Sequence, residues 1–242
     1  AGIERFRQMD QAISNVFRLH LAAREAKGEY GLLNWGDWFG ERTYNWGNCE
    51  YDLPWAALQQ FARFGDERYF RVAEAAARHM ADIDVVHAVN RDYLANDELR
   101  SWYDEIPAEP GCVYEHAIGH VGGYSKTWKQ DYRTRHPGAY TWGDPRNLGH
   151  LWVKGLLYHH LLTGDPWTLD AAVLVGDHLV NTARQAGWDW HLPDGTHSGR
   201  GAGWPFRALT ALADITGKPH YLKVLRRGIQ IACRCQDPHC GG

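Results

Sequence analysis

The sequence predicts an all-α fold of repeated αα-hairpins. Three segments carry that expectation: FARFGDERYF, LLTGDPWTLD and ITGKPHYLKV each join an apolar helical run to a Gly-centred break and then to a helix that opens on an aromatic residue. Gly65, Gly164 and Gly217 stand where a helix C-terminus needs a left-handed residue. Asp66 and Asp165 follow as N-caps, and Pro166 and Pro219 occupy first-turn positions. No β pattern appears apart from short strand-like pieces in the Trp-rich loops. Because the hairpin turns are short, the long connections must lie at the other ends of the helices. Those connections hold most of the Trp, His, Asn and Arg, and there a site is expected.

The elements follow in order. A first helix is expected over Ile3–Lys27, with apolar positions at Ile13, Val16, Phe17, Leu19 and Leu21 and no hairpin partner before it. The loop GLLNWGDWFGERTYNWGNCEYDLPW leads to a helix through Phe64, whose partner runs from Tyr69 to about Asp84. Residues 87–111 read as a long excursion that delivers the chain to a short helix entered at Tyr114 or Glu115 and weakened by Gly122 and Gly123. The loop HPGAYTWGDPRN then precedes a helix from about Leu148 to Thr163 and its partner from Pro166 to Arg184. The last loop, GWDWHLPDGTHSGRGAGW, precedes a pair spanning Pro205 to Thr216 and Pro219 to about Cys233. Hairpins joined this way close into an α/α toroid or continue as an open solenoid, with the first helix of each hairpin lining the concave side. A closed six-hairpin toroid needs roughly 300 residues. Residues 1–242 are expected to form one domain, and if its hairpins close into an α/α toroid the chain can be only part of an (α/α)6 ring, incomplete at one or both ends.

Composition narrows the function. With 242 residues and 44% hydrophobic content the chain can bury a substantial core. A net charge of -3 without a basic stripe argues against nucleic acid as the partner. No segment approaches the roughly 20 apolar residues of a membrane span. The chain begins without Met inside an expected helix and reads as a processed or truncated piece. Five cysteines without a CxxC pair imply no disulfide framework, and Cys233, Cys235, His239 and Cys240 match no familiar zinc spacing. More telling are 12 Trp and 12 Tyr, many in Gly-rich polar surroundings. Flat rings in wet loops suit sugars, because a pyranose presents an apolar C–H face to an aromatic plane.

The sharpest constellation is EHAIGH. Glu115 and His116 are followed one turn later by His120, on the same helical face as His116. Asn48, Glu50, Tyr51 and Asp52 fall at another helix entrance, while His87, Tyr124, Arg146, His150, His197 and Arg200 hold comparable positions. Scattered solvation would favour Lys and Glu, so this bias toward His, Asn, Tyr, Arg and Trp favours a site. Three readings compete for His116 and His120: packed histidines beside a Gly-rich turn, a metal pair, and acid-base or carboxylate-binding work. The metal reading lacks the Glu of HExxH between the two. Trp55, Trp152 and Trp167 are expected in helices as core. Trp35, Trp38, Trp46, Trp142, Trp188, Trp190 and Trp204 are the sugar-platform candidates. Glu50 and Asp52, two apart, face different ways and do not read as a glycosidase carboxylate pair.

The runs NWGDWFGERTYNWGNCEYD, FARFGDERYFRVAEAAARHMADIDVVHAVN, YEHAIGHVGGY and LGHLWVKGLLYHHLLTGDP together resemble the C-terminal α/α toroid of exo-rhamnogalacturonan-lyase-like proteins, over nearly the whole chain. The resemblance implies an (α/α)6 toroid preceded by β-rich domains, and β-elimination on an acidic, rhamnogalacturonan-like polysaccharide. It also implies an extracellular or periplasmic setting.

β-Elimination sets its own demands. The uronate carboxylate must be neutralised and the enolate-like charge stabilised, for which Asn48, His120 and Arg200 are candidates. A base takes the C5 proton and an acid protonates the departing O4, roles assigned to His116 and Tyr124 with Tyr51 as substitute. Substrate contacts are expected from Trp46, Glu50, Asp52, His87, Glu115, Trp142, Arg146, His150, Trp188, Arg200 and Trp204. No cofactor is required, although a divalent cation such as calcium could assist the substrate carboxylate through Glu50 or Asp52. One alternative is a hydrolase that removes unsaturated uronyl groups, with Asp37, Asp52 or Asp84 as the single proton donor. Another is a toroid that binds glycan without cleaving it.

Overall fold

A computed structural model of the chain describes residues 6–27, 49, 51–88, 110, 111, 113, 148, 151–185, 198–235 and 239. Among these, the fold is all-α: α1 (Arg7–Lys27), α2 (Leu53–Phe64), α3 (Glu67–His79) with a π-helical extension (Met80–Asp84), α4 (Lys154–Thr163), α5 (Pro166–Gln185), α6 (Ser198–Thr216) and α7 (Pro219–Cys235). The one β feature among the described residues is an isolated bridge between Val85 and Val113. No helix of the described residues is long and apolar enough to cross a membrane.

The hairpin turns follow local chemistry. Gly65, Gly164 and Gly217 adopt φ of 70°, 74° and 67°, and each amide closes its helix onto a carbonyl four residues back. The Asp66 carboxylate accepts the Arg68 amide at 2.9 Å, and Asp165 accepts that of Trp167 at 3.0 Å. The pairs α2–α3, α4–α5 and α6–α7 thus form three hairpins, and α4 packs on α2, α3 and α6 as well as on its own partner.

Two helix starts differ from expectation. The run from Leu148 was expected to be helical, yet Leu151, Trp152 and Val153 are non-helical and buried, and α4 begins at Lys154. The core buries their apolar side chains without a helix, which a run of apolar residues alone does not distinguish from a helical one. The helix expected from Pro205 instead starts at Ser198, and Pro205 lies inside it. The missing Pro205 amide leaves the Gly201 carbonyl without its helical partner, a cost the tertiary packing around buried Pro205 overrides.

One continuous core joins all three hairpins through Met80, Trp152, Leu156, Leu157, Val175, Leu179, Leu209, Leu212 and Tyr221. A smaller cluster of Ala57, Leu58, Val72 and Ala73 lies between α2 and α3, and Phe17 and Leu21 of α1 pack on it. Phe17 meets Tyr69 at 4.2 Å between ring centroids, and Arg63 pairs with Asp10 across α1 and α2 at 2.5 Å. Where α3 widens into its π turn, the i to i+5 spacing brings His79 and Asp84 together at 3.3 Å, both side chains fully buried.

Candidate functional site

The residues leading into α2 carry the most constrained backbone described. Cys49, Tyr51 and Asp52 have φ of 47°, 61° and 65°, left-handed values that a side chain ordinarily avoids. Three contacts hold the segment there. Cys49 is buried with its thiol toward the Ala76 carbonyl at 3.5 Å, the Leu53 amide donates to the Cys49 carbonyl, and the Gly155 amide donates to Asp52 Oδ1 at 2.9 Å. That last bond ties the start of α2 to the first turn of α4. Gly155 is required, because a Cβ there would stand 2.3 Å from Pro54 Cγ and 2.7 Å from Asp52 Oδ1.

The strained turn sorts two neighbouring side chains in opposite directions. Asp52 is fully buried and its Oδ2 accepts no hydrogen bond, whereas Tyr51 is 52% exposed. Burial raises the Asp52 carboxyl to about 6, against the opposing pull of the Gly155 and Trp55 amides and of the Arg207 and Lys154 charges. The Tyr51 ring lies 6.1 Å from Trp152 and 6.4 Å from Trp204, and the two Trp rings meet edge to face at 5.3 Å.

Two cations lie on aromatic faces beside this cluster. The Arg207 guanidinium sits 4.9 Å from the centre of the Trp204 ring. Lys154 Nζ sits 4.5 Å from that of Trp55, which in turn packs on Tyr158. Partial burial lowers the Lys154 ammonium, and the nearby Arg207 charge lowers it further. The starts of α2 and α4, with Trp204 and Arg207 farther along α6, thus combine one exposed phenol, a half-buried Trp, two cations and a covered carboxyl.

Among the expected site residues, the structure brings Tyr51, Asp52 and Trp204 together. His87 belongs elsewhere: its Nε2 meets the Ala81 carbonyl and its ring stacks on Trp167 at 4.5 Å. Asp84 pairs with buried His79. Trp152 is core as expected though outside a helix, Trp55 is half-buried in α2, and Trp167 is a correction, being 42% exposed rather than core. Arg200 lies in the first turn of α6. Its side chain, together with Asn48, Trp46, Glu50, Glu115, His116, His120, Tyr124, Trp142, Arg146, His150 and Trp188, lies outside the described residues.

Lys154 and Arg207 escaped the sequence reading. Arg207 follows Trp204 by three residues within one helix, and that spacing is the signal that would have found it. No group of three or more His, Cys, Asp or Glu side chains among the described residues could hold a metal ion. Asp52 is a poor cation ligand in any case, because Oδ1 is committed to Gly155 and the nearest charges are those of Arg207 and Lys154. No protein-family model matches the chain, and no curated protein or solved structure matches it significantly.

Proposed function

We propose that the chain is part of an (α/α)6 toroid that cleaves an acidic glycan by β-elimination, with Tyr51 at the reacting centre and Asp52 as its positioning residue. The observation that carries this reading is the presentation of Tyr51. Strained backbone persists where the surroundings over-determine it and function profits from the geometry. Here the strain puts a phenol into solvent beside the half-buried Trp204 while the adjacent carboxyl is locked beneath. In this toroid α2, α4 and α6 are the inner helices, consistent with Tyr51 and Asp52 at the start of α2 reaching Trp152, Gly155 and Trp204.

The chemistry assigns each group a task. Trp204 offers a ring to a pyranose face, and Arg207 beside it neutralises the uronate carboxylate so that the C5 proton becomes removable. Tyr51 donates its phenolic proton to the departing O4 as the C4–O4 bond breaks and the C4–C5 double bond forms. His116, His120, Tyr124 and Asn48 are the proposed source of the base and of further charge stabilisation. The substrate is an acidic, rhamnogalacturonan-like polysaccharide, and β-rich domains of a longer chain are the proposed neighbours.

The raised carboxyl of Asp52 favours a second reading, in which a single protonated Asp acts as the acid of an unsaturated-uronyl hydrolase. The two differ in their product. Elimination creates the ultraviolet chromophore of a conjugated unsaturated uronate, and the hydrolase destroys it. With a panel of acidic polysaccharides, the wild type is expected to generate the chromophore, and Tyr51→Phe to lose on the order of 10² to 10⁴ in rate with an unchanged melting temperature. An unaltered rate in Tyr51→Phe would remove Tyr51 from the mechanism. Consumption of the chromophore, abolished by Asp52→Asn, would establish the hydrolase instead.

A further inference from the structure

The three hairpin turns differ at one register position. Four residues after the turn glycine stand Tyr69, Thr168 and Tyr221, buried to 5%, 0% and 0% exposure. In the first and third hairpins the aromatic therefore fills the core. In the middle hairpin the aromatic has moved one position earlier, to Trp167, where the others carry Arg68 and His220 on the surface. Packing does not require Trp167, since Thr168 already occupies the inward position and bonds His159 Nδ1 at 3.3 Å.

The ring is nonetheless held on two sides. Its Nε1–H donates to Asp82 Oδ1 at 2.5 Å and His87 stacks on one face with the planes 20° apart, while the Trp167 backbone amide donates to Asp165 Oδ1. His87 is itself anchored on the Ala81 carbonyl. A large ring that remains 42% exposed yet fixed in orientation loses little further entropy when a ligand stacks on it. Sugar rings, with an apolar C–H face and a rim of hydroxyls, fit a flat aromatic bordered by a carboxylate.

The charges around it select the sugar. Arg78 is shared between Asp165 at 3.3 Å and Glu74 at 4.0 Å, and Asp82 adds a third carboxylate without adding a cation. A uronate would meet net negative charge here, whereas a neutral pyranose would find acceptors for its hydroxyls. We infer that Trp167, with Asp82 and His87, forms a surface platform for neutral pyranose residues, distinct from the Tyr51 entrance. The choice of a sugar as ligand rests on the glycan reading above, but the platform does not depend on which bond is cleaved.

Native gel electrophoresis of the whole chain through gels containing soluble galactan, xylan or glucomannan, with polygalacturonate alongside, tests this directly. At least one neutral polysaccharide is expected to retard the wild type. Trp167→Ala should weaken that binding about tenfold or more, Trp167→Phe should weaken it less, and Trp204→Ala should leave it in place. Retardation by polygalacturonate should not respond to Trp167→Ala. If Trp167→Ala does not fold, the Nε1–H resonance of the wild type, assigned through Trp167→Phe, must shift when a neutral oligosaccharide is added.

No retardation by any neutral glycan, or retardation unchanged in Trp167→Ala, overturns the platform. So does a change of oligomeric state in Trp167→Ala without a change in retardation, because exposed Leu161 and Leu162 in the same turn would then mark a protein interface. Chromophore formation without neutral-glycan binding defeats this inference alone. Neutral-glycan binding without chromophore formation defeats the elimination reading alone.

Discussion

Gly164 and Asp52 both occupy left-handed backbone, at φ of 74° and 65°, yet only the first lacks the Cβ that makes such backbone costly. At the Gly164 turn every local preference agrees. Glycine closes α4, Asp165 caps α5, and Pro166 takes a first-turn position where its missing amide costs nothing. At the entrance to α2 the preferences conflict: three residues with side chains are forced left-handed, a carboxyl is buried with one oxygen unpartnered, and an aromatic faces solvent. The turns are built for stability. The entrance holds strain of about 1 kcal/mol or more per left-handed residue, which tertiary contacts must offset.

The contrast breaks most severely at Gly155. Gly155→Ala drives a Cβ into Pro54 and Asp52, and either the α2–α4 contact opens or the Asp52 bond is lost. Overpacking and an orphaned buried donor together should cost about 3 to 4 kcal/mol in denaturant unfolding. The proposed glycan cleavage should fall with it even where the variant is folded, because Tyr51 loses its support. A near-wild-type midpoint would mean that the entrance is far softer than its geometry.

Titration of Asp52 comes next. Its folded value of about 6 lies above the ordinary aspartate value of 3.8, so between these pH values the folded state binds more protons than the unfolded. Stability is therefore expected to be greatest below about pH 4 as far as this group is concerned, and to fall as pH rises through 6, by on the order of 3 kcal/mol. Asp52→Asn keeps an oxygen for the Gly155 amide and removes the charge. It should flatten that slope and melt no lower than the wild type at neutral pH, as measured by thermal unfolding across pH 4 to 8. An unchanged slope would place the ionisation elsewhere.

How much the sequence revealed follows the same division. The turns were legible because Gly164, Asp165 and Pro166 act within a few residues of one another, and single-residue preferences suffice there. The entrance was only half legible. Tyr51 and Asp52 were singled out, but the bond that sorts them joins residues 103 positions apart, and nothing local announces it. The start of α4 lies later than its sequence pattern predicts because Leu151, Trp152 and Val153 are apolar in either conformation, and only their shared burial decides. Trp167 reads as core through its helix, although its one-residue shift from the Tyr69 and Tyr221 register is present in the sequence. The expected catalytic pair His116 and Tyr124 lies outside the described residues.

A smaller effect sharpens the comparison from the turn side. Gly164→Ala meets no atom within 4 Å, so its cost is that of holding an alanine at φ of 74°. That should be about 1 kcal/mol, with no loss of the proposed glycan cleavage. A larger loss would mean that the turns, too, hold hidden strain.

The smallest effect is expected at the surface pair of α3. Arg71 and Glu67 lie one turn apart at 3.4 Å, with side chains 76% and 78% exposed. Water screens both charges, and the entropy of fixing two long side chains offsets most of the attraction. Arg71→Ala should therefore shift stability by less than about 0.5 kcal/mol and lose even that at high salt. The contrast with Gly155 is instructive because both lie in helices. An exposed ion pair that satisfies every charge rule contributes little, whereas a glycine with no functional group, wedged between Pro54 and a buried carboxylate, governs whether α2 and α4 can meet. A loss above 1 kcal/mol in Arg71→Ala would reverse that ranking and make surface electrostatics, rather than close packing at the entrance, the determinant of how the hairpins assemble.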